Sequence, residues 1–272
     1  MPSVTAITST QLSRLIGLPQ APALIDVRID DDYRTDSRLL PGSIRHDFRT
    51  AEQWAQQYRG KSVIVVCQKG QKLSEGTAAW LRHSGVEAQN LEGGFEAWKK
   101  AGELLVRTDK LPARDEKGRT VWVTRTRPKV DRIACPWLIR RFIDPNAVFL
   151  FVQPSEVPAV AERFKATPFD IEGVFWSHRG ETCTFDTMIE EFALKSAPLL
   201  QLAKIVRGAD TARPDLTPQS EGLLAASLGY SRMYRDDLPQ LEAAMALYDA
   251  FYRWCRDASE ETHNWPSTKP KA

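Results

Sequence analysis

The stretch Ser62-Val63-Ile64-Val65-Val66-Cys67-Gln68-Lys69-Gly70-Gln71-Lys72 decides the fold of the first half of the chain. Its first five residues form a β-branched run of the kind that is buried in a parallel sheet. A second apolar run, 23–27, precedes it, and amphipathic segments lie around 52–58 and 75–83. Because strands alternate with helices in this way, we predict an α/β domain with a parallel sheet.

The composition is that of a folded globular protein. The chain has 272 residues, of which 42% are hydrophobic and 26% are charged, and its formal net charge is +2. These values exclude disordered, collagen-like and coiled-coil classes. At roughly 100–200 residues per domain, the length predicts two domains. A nearly neutral chain has no overall attraction to nucleic acid or to an anionic membrane, so we expect neither partner.

The distribution of apolar residues and cysteines predicts a cytoplasmic protein. No segment approaches the roughly 18–20 consecutive apolar residues that span a bilayer, and the N-terminal segment lacks the layout of a secretory signal. The chain is too long to depend on disulfides, and its four cysteines are widely spaced. They are Cys67, Cys135, Cys183 and Cys255.

Changes in composition along the chain predict four parts. These are an α/β domain, a polar linker, a second domain and a flexible tail, at residues 1–106, 107–119, 120–258 and 259–272. In the second domain, the runs 120–124 and 148–152 predict strands, and the pattern becomes mostly helical after residue 185. We therefore expect a mostly helical α+β fold there.

Cys67 directly follows the strongest predicted strand, at the edge of the sheet where ligands bind in open α/β folds. Loop amides and the N-terminus of the next helix would converge there on negative charge, and Lys69 and Lys72 add two cations. These groups would stabilise a nucleophilic thiolate. The alternative is a buried cysteine that serves only as a small core residue.

Several separate motifs within residues 4–105 resemble the rhodanese family in order and spacing. They are Leu24-Ile25-Asp26-Val27-Arg28, Tyr33, Leu40-Pro41-Gly42-Ser43-Ile44, the Cys67 loop and Asn90 through Trp98. The resemblance implies the rhodanese α/β fold and a sulfurtransferase in which Cys67 carries sulfur as a persulfide. It also implies that the substrate-binding residues are Gln68, Lys69, Gly70, Gln71, Lys72 and Leu73.

The expected reaction is sulfur transfer without a cofactor. A thiolate attacks the outer sulfur of thiosulfate or a similar donor, sulfite leaves, and the persulfide passes its sulfur to cyanide or another thiol. The family often has arginine at the sixth loop position, where this chain has Lys72. Leu73 stands where a phosphatase-type loop would need arginine to clamp phosphate, so we expect no phosphatase activity.

Residues 125–141 concentrate six basic side chains against one acidic side chain, Asp131. A helix that begins near Asp131 would place arginines beside its N-terminus, where an oxyanion can bind. The alternative is a solvated basic face. We find no helix-turn-helix, zinc-finger or RNA-binding signature that would favour a nucleic-acid surface. The oxyanion-binding candidates are Arg125, Arg127, Arg132 and Arg140.

Residues 176–186 contain several metal-ligating residue types. His178, Glu181 and Cys183 are the candidate ligands, and they would suit zinc or another first-row divalent ion. Their spacing matches no standard zinc pattern, so a histidine held by hydrogen bonds is the alternative. Asp131 and Asp210 can act either as ligands or as helix caps.

The segment 124–144, together with 178–191, 205–210 and 247–249, resembles the C-terminal domain of chromate-resistance regulators. This resemblance covers about residues 120–257 and implies a role in chromate resistance or in sensing a tetrahedral oxyanion such as chromate or sulfate. We therefore expect a sulfurtransferase that is linked to chromate resistance or sulfur stress. The alternative is a non-catalytic oxyanion or redox sensor, in which modification of Cys67 regulates the second domain.

Overall fold

The computed structural model describes residues 4–262, and the first domain within them is built on a parallel sheet. Its strands are β1 (Ala6–Ile7), β2 (Ala23–Asp26), β3 (Ile44–Arg45), β4 (Ser62–Val66) and β5 (Glu87–Leu91). The order across the sheet is β1-β5-β4-β2-β3, and every neighbouring pair is parallel. The predicted α/β fold is confirmed, and the β-branched run forms the central strand.

Helices connect these strands and cover both faces of the sheet. They are α1 (Ser9–Ser13), α2 (Asp30–Thr35), α3 (Ala51–Trp54), α4 (Lys72–His83) and α5 (Gly94–Lys100). Successive side chains of a strand point to opposite faces. Accordingly, Val63, Val65 and Cys67 belong to one apolar cluster, whereas Ile64 and Val66 belong to another.

The second domain contains a smaller parallel sheet surrounded by helices. Its strands β6 (Val121–Arg125), β7 (Val148–Val152) and β8 (Thr167–Pro168) lie in the order β7-β6-β8. The helices are α6 (Asp131–Leu138), α7 (Val157–Phe164), α8 (Thr184–Glu191), α9 (Ala197–Asp210), α10 (Gln219–Met233) and α11 (Asp237–Arg253). The second domain is mostly helical, as predicted, although its three strands are parallel and alternate with helices.

The two domains share one continuous apolar core. Trp98 and Val106 of the first domain lie in the same buried cluster as Trp137, Phe142 and Tyr252 of the second. The amide of Gly42 donates a hydrogen bond of 2.7 Å to the Phe142 carbonyl across this boundary. One face of the first sheet therefore depends on the second domain for its cover.

The segment 107–119 joins the two domains and contacts the second. The amide of Arg107 donates to the carbonyl of Phe192, and Arg114 lies 3.2 Å from the buried carboxylate of Asp144. Of the predicted tail, residues 263–272 lie outside the described part of the chain. Among the helices of residues 4–262, none has the length and apolar character needed to cross a membrane.

Candidate functional site

Cys67 directly follows β4 and begins the loop that leads into α4. The residue is 4% exposed. Its Sγ lies 3.1 Å from the hydroxyl of Ser74 and 3.8 Å from the carbonyl of Gln71. The Ser74 hydroxyl also lies 3.2 Å from the Gln71 carbonyl, to which it can donate. The first turn of α4 therefore supplies a polar neighbour for the buried sulfur.

The loop after Cys67 has the properties of an anion cradle. Within residues 4–262, the amides of residues 68–73 have no acceptor in the protein, and no side chain caps the N-terminus of α4. An uncapped helix N-terminus carries partial positive charge. Lys69 and Lys72 are exposed beside it. Free amides, a helix dipole and two cations thus occur on one short loop.

Two glycines give the loop its close contacts. Gly70 has φ +66°, and a Cβ there would lie 2.4 Å from the carbonyl oxygen of Leu91. Gly94, at the start of α5, has φ +59°, and a Cβ there would lie 2.2 Å from the carbonyl oxygen of Cys67. Only glycine tolerates both the backbone angle and the contact. Phe95 donates its amide to the Cys67 carbonyl at 2.9 Å.

Asp26 and Arg28 hold the neighbouring loop in place. The Arg28 Nε donates to Asp26 Oδ2 at 2.7 Å, and both side chains are buried. The guanidinium also donates to the carbonyls of Asp36 and Arg38 and lies 3.8 Å from the centre of the Phe95 ring. Its donors are therefore used within the fold.

The four oxyanion candidates do not converge on one point. Arg125 Nη2 and Arg132 Nε both face Asp170 Oδ2, at 3.5 and 3.3 Å. Arg127 instead donates to carbonyls of Ser231 and Tyr234, and Arg140 pairs with Glu242 at 2.6 Å. The helix α6 begins at Asp131 as predicted. Only Arg125 and Arg132 share a location.

A cluster of three carboxylates surrounds His178. Its Nε2 lies 3.1 Å from Asp210 Oδ2, 3.3 Å from Asp170 Oδ1 and 3.6 Å from Asp131 Oδ2. Asp131 begins α6, Asp210 ends α9, and Asp170 follows β8. Asp131 and Asp170 are buried, whereas the His178 side chain is 40% exposed. The ends of separate elements thus assemble this cluster.

The cluster perturbs the titration of its members. Hydrogen bonds to Asp170 and Asp210 raise the pKa of His178 to about 10. Burial raises the pKa of Asp131, and the neighbouring charges of Asp210 and Asp170 add to that effect. Asp131 nevertheless has fixed donors, because the amide of Thr184 donates to its Oδ2 at 2.6 Å. Carboxylates this close to one another favour a bound cation.

Of the three predicted metal ligands, only His178 lies in this cluster. Glu181 is exposed, and Cys183 caps α8 and lies 3.3 Å from Asp186 Oδ2. Burial raises the pKa of the Cys183 thiol. In the described part of the chain, the ligand atoms of Asp131, Asp170 and His178 all lie within 4.8 Å of one another. The structure therefore brings His178 together with aspartates that are distant in sequence.

Asp170 is the member of this cluster that the local sequence pattern does not identify. It follows β8, a strand of two residues that contains Pro168. Such a short run has no periodicity, and proline argues against a strand, so local pattern does not place this carboxylate at a sheet edge. The feature of the sequence that points to this residue is a single acidic side chain directly after the apolar Phe169.

Family comparisons agree with both halves of this architecture. Residues 8–101 match the model of the Rhodanese-like domain, and residues 122–255 match that of the ChrB C-terminal domain. The chain therefore contains a rhodanese-like domain followed by a ChrB C-terminal domain, which confirms the two sequence resemblances. A curated relative, Protein ChrB of Cupriavidus metallidurans, is 31% identical over 146 residues, covering 52% of this chain and 43% of that protein. The match thus spans less than half of the relative's length.

Solved structures with similarity to this chain include three rhodanese-type proteins. A rhodanese-like domain protein from Staphylococcus aureus is 26% identical, covering 35% of this chain and 90% of its own, with a TM-score of 0.31. A rhodanese-related protein from Thermoplasma volcanium is 23% identical, with coverages of 38% and 97% and a TM-score of 0.33. Thiosulfate sulfurtransferase from Pseudomonas aeruginosa is 21% identical, with coverages of 40% and 21% and a TM-score of 0.34.

Proposed function

We propose that the first domain is a sulfurtransferase that moves sulfane sulfur through a persulfide on Cys67. The donor is thiosulfate or a similar anion, and the acceptor is a thiol or cyanide. The observation that carries this proposal is the loop itself. Cys67 lies at the carboxyl end of the central strand, and the amides of residues 68–73 have no acceptor within residues 4–262. An anionic donor would supply the missing acceptor.

The reaction requires only groups of this chain and its two substrates. The Cys67 thiolate attacks the outer sulfur of thiosulfate, a new S–S bond forms, and sulfite leaves with the electron pair of the broken bond. A thiolate or cyanide acceptor then attacks the outer sulfur of the persulfide, and Cys67 returns to its thiolate form. The Ser74 hydroxyl, 3.1 Å from the sulfur, can donate a hydrogen bond to that anion.

The cations of the loop favour a small anionic donor. Lys69 and Lys72 are exposed and flank the free amides. Each ammonium acts as a point charge and lacks the planar fork with which arginine clamps an oxyanion at two atoms. Attraction of the donor would therefore rely on charge and on the backbone amides.

We further infer that the second domain links sulfur transfer to chromate resistance or sulfur stress by binding a tetrahedral oxyanion such as chromate or sulfate. Arg125 and Arg132 support this inference, because they lie together near Asp170. In both residues, the buried Nε forms no hydrogen bond with the described residues, although Arg132 Nε lies 3.3 Å from Asp170 Oδ2. Chromate and sulfate can be titrated into the full-length protein by calorimetry. Binding should weaken in Arg125→Met and persist in Arg140→Met.

A second candidate function is a sensor without turnover. The apolar core that the two domains share supports the sensor function. The amide of Phe95 donates to the Cys67 carbonyl, and Trp98 of the same helix packs in that core. Modification of Cys67 would then reach the second domain through α5. A sensor would incorporate one sulfur per chain and stop, whereas an enzyme would continue to turn over.

Thiocyanate formation from thiosulfate and cyanide tests the proposal. The wild-type protein should form many equivalents of thiocyanate per chain, and Cys67→Ala should form none above background. Cys255→Ala is the matched control, because Cys255 is also buried but belongs to the second domain. Retention of the wild-type rate in Cys67→Ala would eliminate the sulfurtransferase assignment. We propose the cytoplasm as the location, since all four cysteines are free thiols in the structure.

A further inference from the structure

We propose that the second domain binds one divalent first-row metal ion between Asp131, Asp170 and His178, with Asp210 completing the site. The ligand atoms of the first three residues lie within 4.8 Å of one another. Asp210 Oδ2 approaches the same imidazole nitrogen to 3.1 Å. This site differs from the residues that the local sequence suggested, because three of its four members come from outside residues 176–186.

The spacing of the ligand atoms fits a metal ion. Metal bonds to imidazole nitrogen and carboxylate oxygen are about 2.0–2.2 Å long, so ligand atoms around a tetrahedral ion lie roughly 3.4 Å apart. The observed distances from His178 Nε2 are 3.3 Å to Asp170 and 3.6 Å to Asp131. An ion could therefore enter with small side-chain adjustments.

The hydrogen bonding of His178 leaves the carboxylates incompletely satisfied. Its Nε2 can carry only one hydrogen, yet oxygens of Asp131, Asp170 and Asp210 all face this one atom. One N–H cannot form three well-directed hydrogen bonds. A divalent cation would bind all of these oxygens at once and would offset the mutual repulsion of the carboxylates.

A buried hydroxyl at the same edge of the sheet provides an independent observation. Thr124 is fully buried, and its Oγ1 has no hydrogen-bond partner among the described residues. Thr124 is two residues after Trp122 in β6, so both side chains point to the same face. Trp122 packs there against Phe169, which precedes Asp170 by one residue, and against Trp176, which precedes His178 by two. The Thr124 side chain thus lies on the face of the sheet that packs against residues close in sequence to Asp170 and His178.

Surrounding groups orient the proposed ligands. Thr184 donates its amide to Asp131 Oδ2 at 2.6 Å and its hydroxyl to Asp170 Oδ1 at 2.9 Å. Arg132 Nε lies 3.3 Å from the other oxygen of Asp170. Ligating carboxylates in metal sites are held by outer contacts of this kind. The first turn of α8 therefore positions two of the ligands.

The donor set indicates the class of metal. It contains carboxylate oxygens and one imidazole but no thiolate, which favours ions such as Mn²⁺ or Zn²⁺ over Cu⁺. The 40% exposed side chain of His178 gives a route from solvent to the buried carboxylates. The site requires neither Cys67 nor sulfur transfer, so it stands independently of the function proposed above.

Metal binding by the full-length protein tests the proposal. Protein stripped with a chelator and dialysed is titrated with MnCl₂ and with ZnCl₂ by calorimetry, and Mn²⁺ binding is also followed by electron paramagnetic resonance. One ion should bind per chain. His178→Ala and Asp170→Asn should each weaken binding by at least about tenfold. Glu181→Gln and Cys67→Ala should leave it unchanged, because neither residue belongs to the cluster.

Several results would overturn the proposal. The first is wild-type protein that binds neither ion, and the second is binding that persists in His178→Ala. Loss of binding in Glu181→Gln or Cys67→Ala would assign the ion to other residues. Circular dichroism checks that each variant folds. If Asp170→Asn does not fold, His178→Gln decides the question, because this side chain is partly exposed and its replacement leaves the buried core intact.

Discussion

The amide of Phe95 donates a hydrogen bond of 2.9 Å to the carbonyl of Cys67. The helix α5 therefore holds the cysteine loop by its first turn. Trp98, one turn later, is buried in the apolar core that both domains build. The candidate nucleophile is thus connected through a single helix to the boundary between the domains.

Replacement of Gly94 by alanine should disrupt the cysteine loop. The new Cβ would lie 2.2 Å from the Cys67 carbonyl, so the backbone must move. Gly85→Ala is a matched control, because Gly85 also has a positive φ, +82°, but no atom lies within 4 Å of the position that its new methyl group would take. The control should cost about 1–2 kcal/mol for the left-handed backbone. Gly94→Ala should cost about 1–3 kcal/mol more and abolish thiocyanate formation. Equal effects of both substitutions would contradict this account.

Ser74→Ala should slow sulfur transfer without unfolding the domain. The hydroxyl lies 3.1 Å from the Cys67 sulfur, and a hydrogen bond to an anion contributes about 1.5–3 kcal/mol. We expect kcat/KM for thiosulfate to fall by about tenfold or more. Ser84→Ala, in the C-cap of the same helix, is the control. An unchanged kcat/KM in Ser74→Ala would mean that Ser74 does not stabilise the thiolate.

Phe142→Ala should destabilise both domains together. Its ring is fully buried, and a Cβ on Gly17 of the first domain would lie 2.5 Å from it. Loss of a buried phenylalanine ring costs about 3–5 kcal/mol. Hydrogen exchange should accelerate in β4 as well as in α8. The control is Val157→Ala, because this fully buried side chain belongs to a separate apolar cluster of the second domain and its loss should leave the exchange of β4 unchanged. If only the second domain responds to Phe142→Ala, the domains do not unfold cooperatively.

Asp36 should make stability depend on pH in the acidic range. A hydrogen bond from Arg38, together with one from Lys99, lowers the pKa of this carboxyl well below its ordinary value. Its stabilising contribution is therefore present above the unfolded pKa of about 3.9 and is lost as the pH falls toward the folded pKa. Because the ion pair of Asp36 with Arg38 is partly solvated, Asp36→Asn should cost only about 1 kcal/mol at pH 7. The cost should be smaller near pH 2, where the carboxyl of the unfolded chain is already protonated.

Urea unfolding of wild-type protein and Asp36→Asn at both pH values measures this difference. Asp31→Asn is the control, since the Asp31 carboxylate is 80% exposed in its ion pair. A cost for Asp36→Asn that does not change with pH would refute the linkage.

Metal binding should release protons. Hydrogen bonds to Asp170 and Asp210 raise the pKa of His178 to about 10, so the metal-free imidazole is protonated at pH 7. A coordinated imidazole must be neutral. The affinity for the metal ion should therefore rise about tenfold per pH unit for each proton released. Calorimetry at pH 7 in two buffers with different ionisation enthalpies gives the number of protons. A binding enthalpy that is independent of the buffer would contradict the prediction.

Local pattern was sufficient for the first domain. The β-branched run 62–66 forms a strand over the same residues, and α4 begins at Lys72, three residues before the amphipathic segment 75–83 that predicted it. The thiol of Cys67 lies at the sheet edge because parallel strands end there. Local pattern does not predict which carboxylates lie around His178. Glu181 is close to His178 in sequence, but its exposed side chain lies outside the group formed with Asp131 and Asp170.

The amino-acid sequence by itself determined the alternation of strands and helices, the position of the candidate nucleophile and the mostly helical character of the second half. These features depend on periodicity over a few residues, which the sequence displays directly. Only the tertiary structure decided that Asp131 and Asp210, 79 residues apart, meet at one imidazole and that both domains share a core. Periodicity identifies which face of an element is buried, but the packing of whole elements selects the surface that covers it.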